Sequence, residues 1–246
     1  MSKTTRAIRP DDFEIIAQIP GIAAVARDEN LRVLWYTPSF SEVSGMVKPS
    51  LDLIGTTLSD ILPKAAVLER EIILRQVLET GETLSHFQFS ADSRVLCTVF
   101  PLDEEAFGHR GIFAVVKDVT IHALLSEGNK IPVLSTPLLL ELNELSSREL
   151  EVLHYVASGM TTHQIAMKVC RADKTIEHHV NSIHGKLGTH SRAQLVRFAS
   201  ERGIQSFTDE EWASIVKGAR LVRKEGLKAK SAAEVKPVTK TEAESS

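Results

Sequence analysis

The chain is narrowed first by what it lacks. Two cysteines, Cys97 and Cys170, are all it has in 246 residues, and they fall in separate halves of the sequence. A disulfide between them is not expected, and nothing points to an exported protein. No apolar run approaches the ~18 to 20 residues of a membrane span, and the stretch after Met1 lacks the apolar core of a signal peptide. A cytosolic compartment with no membrane partner is expected. The nine histidines include no pair at the i, i+4 spacing that two ligands on one helix require. His178 and His179 are adjacent and face apart, and His184 falls out of step, so no metal site is expected. A nucleophile elbow, a phosphate loop, a paired-acid motif and a receiver-type acidic cluster with its lysine are all missing. An enzyme is therefore not expected.

What is present is unevenly distributed. With 43% hydrophobic residues, the length suits one or two domains of roughly 100 to 150 residues each. The net charge of −3 conceals a split: residues 1–130 hold 13 Lys+Arg against 18 Asp+Glu, whereas 145–205 hold 8 against 5 and six of the nine histidines. A surplus of cations in the second region favours a polyanion through counterion release.

That second region is punctuated as helices. Ser146 with Glu149, Thr161 with Gln164, and Ser191 with Gln194 each read as a capping box, in which hydroxyl and side-chain carbonyl satisfy orphan N–H groups reciprocally. Gly159 and Gly188 stand where a left-handed residue closes a helix. Four short helices follow, and the second and third are joined by only a few residues around Cys170 to Asp173. So tight a connection fits a helix-turn-helix, whose second helix lies in the DNA major groove. Residues 174, 177, 178 and 181 share one face of that helix.

These residues resemble the DNA-binding domain of the LuxR/GerE (NarL/FixJ-type) regulators. The likeness is carried by Leu145, Arg148, Glu149, Val152-Leu153, Ala157, Gly159, Ile165-Ala166, Lys174-Thr175-Ile176, His179, Ile183, Lys186-Leu187-Gly188 and Arg192-Ala193. The resemblance implies base readout by Glu177, His178 and Asn181, and phosphate contacts from Lys174, Thr175, Lys186 and Arg192. Asn suits adenine N6 and N7, and Glu suits cytosine N4. It further implies a homodimer, paired through the fourth helix at Gln194, Leu195 and Phe198, on a palindromic site. Two departures stand out. Relatives place a basic or polar residue at position 177, and Ala172 replaces the common serine N-cap, a loss of roughly 1 kcal/mol unless Asp173 substitutes.

The first 130 residues read as a mixed domain. A short helix at Asp11 to Gln18 ends at Pro20-Gly21. Strands are expected at Ile22 to Ala26, Leu31 to Tyr36, Thr83 to Phe89, Arg94 to Phe100 and Gly111 to Asp118. Helical pieces fall at Pro38 to Val47 and Thr57 to Leu62. A longer helix, Lys64 to Glu79, has an apolar face of Val67, Leu68, Ile72, Ile73, Leu74, Val77 and Leu78. This order resembles a PAS domain, through Leu31 to Phe40, Ile54-Gly55-Thr56-Thr57-Leu58, Asp60-Ile61-Leu62-Pro63, Glu79-Thr80-Gly81-Glu82 and the closing Asp118-Val119-Thr120. Thr37 departs from the Asn that many relatives carry before the Pro. The long helix has no histidine for haem, and the Asn-Cys-Arg phrase of flavin photosensors is absent. His86 reads as a solvent-facing or hydrogen-bonded strand residue, and Cys97 as a small buried one. No cofactor is expected, although five strands against a helix leave room for an unidentified small molecule.

Between the domains, Ile121 to Ser126 reads as a short helix broken by Glu127 to Lys130. Thr136-Pro137 opens a second helical piece whose Leu138, Leu139, Leu140 and Leu142 must pack on one domain or on a second protomer. After the four helices, Thr208 with Glu211 caps a further helix whose Trp212, Ile215, Val216, Ala219 and Val222 share a face. Lys217, Arg220, Arg223 and Lys224 read as its solvated basic face.

The expected fold is α+β. A five-stranded antiparallel PAS-like sheet with helices (12–125) follows an N-terminal arm (1–11). A linker (126–144) leads to an all-α four-helix helix-turn-helix domain (145–206), an amphipathic helix (207–226) and a disordered tail (227–246). The expected function is sequence-specific DNA-binding transcriptional regulation, with the PAS domain sensing a small molecule or mediating dimerisation. The alternative is a protein-interaction adaptor whose helix-turn-helix no longer binds DNA, a reading that the acid at Glu177 supports. A PAS-linked kinase or cyclase is disfavoured by the absence of a catalytic domain. Expected partners are double-stranded DNA and a second copy of the chain, with a small ligand and RNA polymerase as further candidates.

Overall fold

The structure, a computed structural model, describes residues 10–19, 22–40, 52–118 and 131–234. The turn expected at Pro20-Gly21, the helical piece beyond Phe40, the closing Val119-Thr120, the connector to Lys130 and the tail from 235 lie outside those residues.

Helix α1 (Pro10–Ala17) leads into β1 (Ile22–Asp28) and β2 (Val33–Tyr36). Helices α2 (Leu58–Ile61) and α3 (Lys64–Thr80) then cross to β3 (Leu84–Ser90) and β4 (Ser93–Pro101). A one-turn helix, α4 (Glu104–Phe107), precedes β5 (Gly111–Asp118); it was not legible as a helix and is capped by the Asp103 carboxylate, which accepts from Ala106 N at 3.0 Å. The five strands form one antiparallel sheet in the order β2-β1-β5-β4-β3. Alternation along the strands divides its residues between two faces. One face turns Val25, Ala114, Val116, Cys97 and Val99 toward α3. The other turns Ala24, Ala26 and Phe113 toward α1, where Phe13 stacks on Trp35 and Phe113 at 4.7 and 5.0 Å between centroids.

Helix α3 corrects the apolar face expected of it. Leu68 and Ile72 are 56% and 68% exposed, while Ala66, Val67, Arg70, Leu74 and Val77 are buried. The inward stripe therefore includes a cation that a hydrophobicity count passes over. His86 is also corrected: it is buried on the α3-facing side of the sheet, and its Nδ1 has no hydrogen-bond partner. Cys97 is buried as expected, and burial pushes its thiol up to about 12.

The linker does not form the helix expected after Thr136. It runs extended beside β3, with bridges Phe87↔Val133 and Ser90↔Leu138 and backbone bonds Leu134 N to Phe87 O and Leu138 N to Phe89 O, at 2.8 and 2.9 Å. An otherwise open sheet edge is thereby covered, which removes a row of unsatisfied backbone groups. Leu138 and Leu142 are buried within the same protomer, whereas Leu140 stays exposed.

A 3-10 turn (Glu141–Glu144) opens the C-terminal region. It is followed by α5 (Ser147–Ala157), α6 (Thr162–Lys168), α7 (Asp173–Leu187), α8 (Arg192–Glu201), a second 3-10 turn (Ile204–Ser206) and α9 (Asp209–Glu234). Helix α9 continues past Gly226 to Glu234 rather than ending where the tail was expected to begin; its Lys- and Ala-rich continuation consists mainly of good helix formers. One core joins all of these helices and takes in Phe89 from the sheet.

Candidate nucleic-acid interface

The caps set the helix positions. Ser146 and Glu149 exchange both bonds of their box (2.6 and 3.2 Å), as do Thr161 and Gln164 (2.7 and 3.3 Å). The third box is only half formed. Ser191 Oγ accepts from Gln194 N at 3.2 Å, but the Gln194 side chain accepts from His190 N at 2.7 Å, one residue early. Between α6 and α7 the chain turns through Cys170 at φ +51°. There Arg171 N donates to Ala166 O at 2.9 Å, a closure of the Schellman type with cysteine in the place that glycine usually takes. Ile165 and Ala166 of α6 and Ile176 and Ile183 of α7 are buried, which fixes the rotation of both helices.

That rotation leaves Lys174, Glu177, His178 and Asn181 exposed along one side of α7, with Thr175 half-buried beside them. Ala172 offers no side-chain cap. Asp173 does not replace it; its carboxylate meets His163 Nδ1 at 3.1 Å and so ties α6 to α7. A carboxylate in the first turn also complements the helix dipole.

The other two residues expected to contact phosphate have partners inside the domain. Lys186 Nζ donates to Glu149 Oε2 at 2.7 Å, and Arg192 Nη2 donates to the carbonyl oxygen of Met160. Glu149 also accepts from Ser182 Oγ at 2.6 Å. Burial alone would raise its carboxyl, but the bonds from Lys186, Ser182 and Ser146 outweigh that and hold it down to about 2. The capping-box reading found one function of Glu149 and missed the second. The signal lay in Ser182 and Lys186, four residues apart on one face of α7.

The dimerisation set needs a correction at Leu195. Its side chain is fully buried in the core of its own domain together with Ala199, one turn on. Gln194 is exposed, and Phe198 is half-buried under the Arg202 guanidinium, which lies 3.5 Å from its ring centroid. The basic side of α9 is corrected at Arg223, which bonds Asn143 Oδ1 at 3.2 Å rather than standing in solvent.

Sequence reasoning also missed the side chains that lock the two domains together. Arg94 of β4 is sandwiched between Phe87 and Phe207, 4.4 and 4.3 Å from their centroids, and donates to Ser206 O at 2.7 Å. Asp92, buried in the β3–β4 turn, accepts from Leu140 N and Leu142 N at 2.9 and 3.0 Å. Trp212 of α9 packs edge-on against Phe89 at 5.4 Å, stacks on His154 and donates to Leu150 O at 2.9 Å.

A PAS-type sheet joined to four short helices, the third with an exposed polar side, defines a helix-turn-helix protein with a PAS-type domain. Residues 143–199 match the luxR family of bacterial regulatory proteins, and 16–123 match the PAS fold. The chain is 40% identical over 204 residues to the oxygen regulatory protein NreC of Staphylococcus aureus (strain JH9), covering 80% of this chain and 89% of that one. It belongs to the luxR family. Fimbriae Z protein of Escherichia coli (strain K12) is 42% identical over 55 residues, 22% of this chain, which spans only 26% of that protein. A solved VqmA–ligand–DNA complex from Vibrio cholerae is 21% identical, with 82% of this chain and 92% of that one covered at a TM-score of 0.42. Among the described residues no helix is long and apolar enough to cross a membrane.

Proposed function

We propose that the chain is a homodimeric, sequence-specific DNA-binding regulator of transcription whose PAS domain responds to a small molecule. The observation that carries the reading is the exposed side of α7, where Lys174, Glu177, His178 and Asn181 stand together. Asn181 suits adenine and Glu177 suits cytosine N4, while Lys174 and Thr175 suit the backbone. Membership of a family of regulatory proteins supports the same reading. One α7 spans only a half-site, so a palindromic site calls for two copies of the chain. The domain limits follow the same logic: a PAS unit over 12–125 and a helix-turn-helix unit over 145–206, joined by the segment that lies along β3.

The test is selection of bound fragments from a genomic library at low salt, with native mass spectrometry of the recovered complex. A palindrome bound by two chains is expected; no enrichment of any sequence would sink the reading. The adaptor alternative keeps one specific observation, the exposed acid Glu177 on the face that would approach phosphate. It predicts the empty selection.

A further inference from the structure

Between α3 and the sheet lies a cavity of about 70 Å³, several times the roughly 10–15 Å³ that one water needs. Its wall is mainly aliphatic from Val25 of β1 to Leu138 of the linker, with Phe40 and Cys97, and is broken by four polar side chains: Arg27, Arg70, His86 and Gln88. Arg70 is 7% exposed and His86 2%. Among the described residues no carboxylate forms an ion pair with Arg70, although the charge of Glu69 acts on it from the adjacent position. Its neighbour Glu69 instead accepts from Ser135 N and Thr136 N, at 2.5 and 2.8 Å. Among the described residues Arg70 reaches only carbonyl oxygens, Ala66 O at 3.2 Å and Thr136 O at 3.4 Å. Among them, too, His86 Nδ1 is buried with no hydrogen-bond partner.

These groups sit at one end of the cavity. His86 pairs with Cys97 across β3 and β4, and Cys97 with Val116 across β4 and β5. Arg70 acts electrostatically on both His86 and Cys97. Burial first, and then Arg70's charge, hold the His86 imidazole down to about 4 against the opposing pull of Gln88 and Glu69, so near pH 7 it is neutral and does not repel the guanidinium. Arg27 lies in a different row, opposite Ile112, and donates to Leu31 O at 2.8 Å. It closes the β1–β2 turn and is a second buried cation in the cavity wall.

We propose that the cavity receives a small monocarboxylate, its carboxylate on Arg70 and His86 and its short aliphatic tail against the apolar wall. A guanidinium is planar and offers paired donors that match a carboxylate, and a buried one without an acid is a poorly compensated charge. The second cation of the wall, Arg27, already donates to Leu31 O at 2.8 Å, so a single negative group on Arg70 with an apolar remainder is the chemistry that fits. Occupancy is linked to the linker by the same side chain. Arg70 holds Thr136 O at the long limit of a hydrogen bond, and a carboxylate competes for those donors. Leu138, two residues further along, lines the cavity and lies on β3. This deepens the proposal of a ligand-responsive regulator and rests on it for the consequence at DNA.

The experiment is titration calorimetry of the full chain at pH 7 with isovalerate and with its neutral isostere isovaleramide. Saturable binding of isovalerate, at least about tenfold tighter than isovaleramide, is expected from a charge-assisted pair. Equal binding of the two, or binding of neither, overturns the proposal. Arg70→Met should abolish the preference, and a folded variant that keeps it would remove Arg70 from the site. If that variant does not fold, the wild-type comparison of acid with amide decides by itself. Carboxylate binding without any DNA enrichment would sink the regulator reading alone, and DNA enrichment without carboxylate preference would sink this proposal alone.

Discussion

In the C-terminal domain the buried carboxylate of Glu149 is met by Ser146, Ser182 and Lys186, whereas in the N-terminal domain the buried guanidinium of Arg70 meets only backbone carbonyls. Both are charged residues on helices, turned inward by the spacing of the apolar residues around them. The difference separates a structural charge from one that awaits a partner. A carboxylate with its bonds complete fixes the angle between α5 and α7. A cation with weak acceptors, beside an imidazole nitrogen with no partner among the described residues and a void, is the basis of the proposed carboxylate site. Pairing, more than burial, tells the two apart.

Seven substitutions break or sharpen that contrast. The largest effect is expected from Trp212→Ala, which empties the contact among Phe89, Phe207 and His154 on which both domains rest; unfolding in urea should show a loss of about 3–5 kcal/mol. Next is Glu149→Ala, which removes a cap and leaves Lys186 without its acid, at a cost of about 2–3 kcal/mol. The pH dependence has a definite sign. The Glu149 carboxyl is held down to about 2 from its ordinary 4.5, so its stabilisation is complete above about pH 4.5 and is lost as pH falls through about 2. In Glu149→Gln, stability followed by circular dichroism should fall less over that window.

On the exposed side of α7, Asn181→Ala should relax preference at one base position by about 1–3 kcal/mol. Lys174→Ala should weaken binding to all sequences and lower the salt slope by about 1. Lys186→Ala is expected to destabilise the domain, because its ammonium already holds Glu149; unchanged thermal stability with weakened DNA binding would restore it as a phosphate contact. The smallest effect is expected from Ala172→Ser, which supplies the missing cap of α7 and should stabilise the domain by about 1 kcal/mol in thermal unfolding.

Much of the helix-turn-helix was legible because its signals are local. A capping box lies within four residues, a left-handed glycine marks a helix end, and the exposed side of α7 follows from helical spacing. Where reading failed, the missing information was non-local. Leu195 is expected at a dimer contact, yet a helix of mixed composition has more than one plausible inward side, and only the position of α5 decides between them. The linker was read as a helix because Thr-Pro is a good helix opening, yet the free edge of β3 offered its backbone better partners. Arg70 was passed over because a count of apolar residues cannot include a buried cation.

By itself, then, the sequence determined the strand order's raw pattern, the four C-terminal helices, the caps that place them and the polar side of α7, since each depends on neighbours within a few residues. Only the tertiary structure decided that Lys186 and Arg192 find partners within the domain, that Arg94 and Asp92 lock the two domains, and that Arg70 and His86 line one cavity with no acid in its wall among the described residues. Those outcomes bring together residues from 16 positions apart, as in Arg70 and His86, to 112, as in Arg94 and Ser206, and chain spacing carries no record of such meetings.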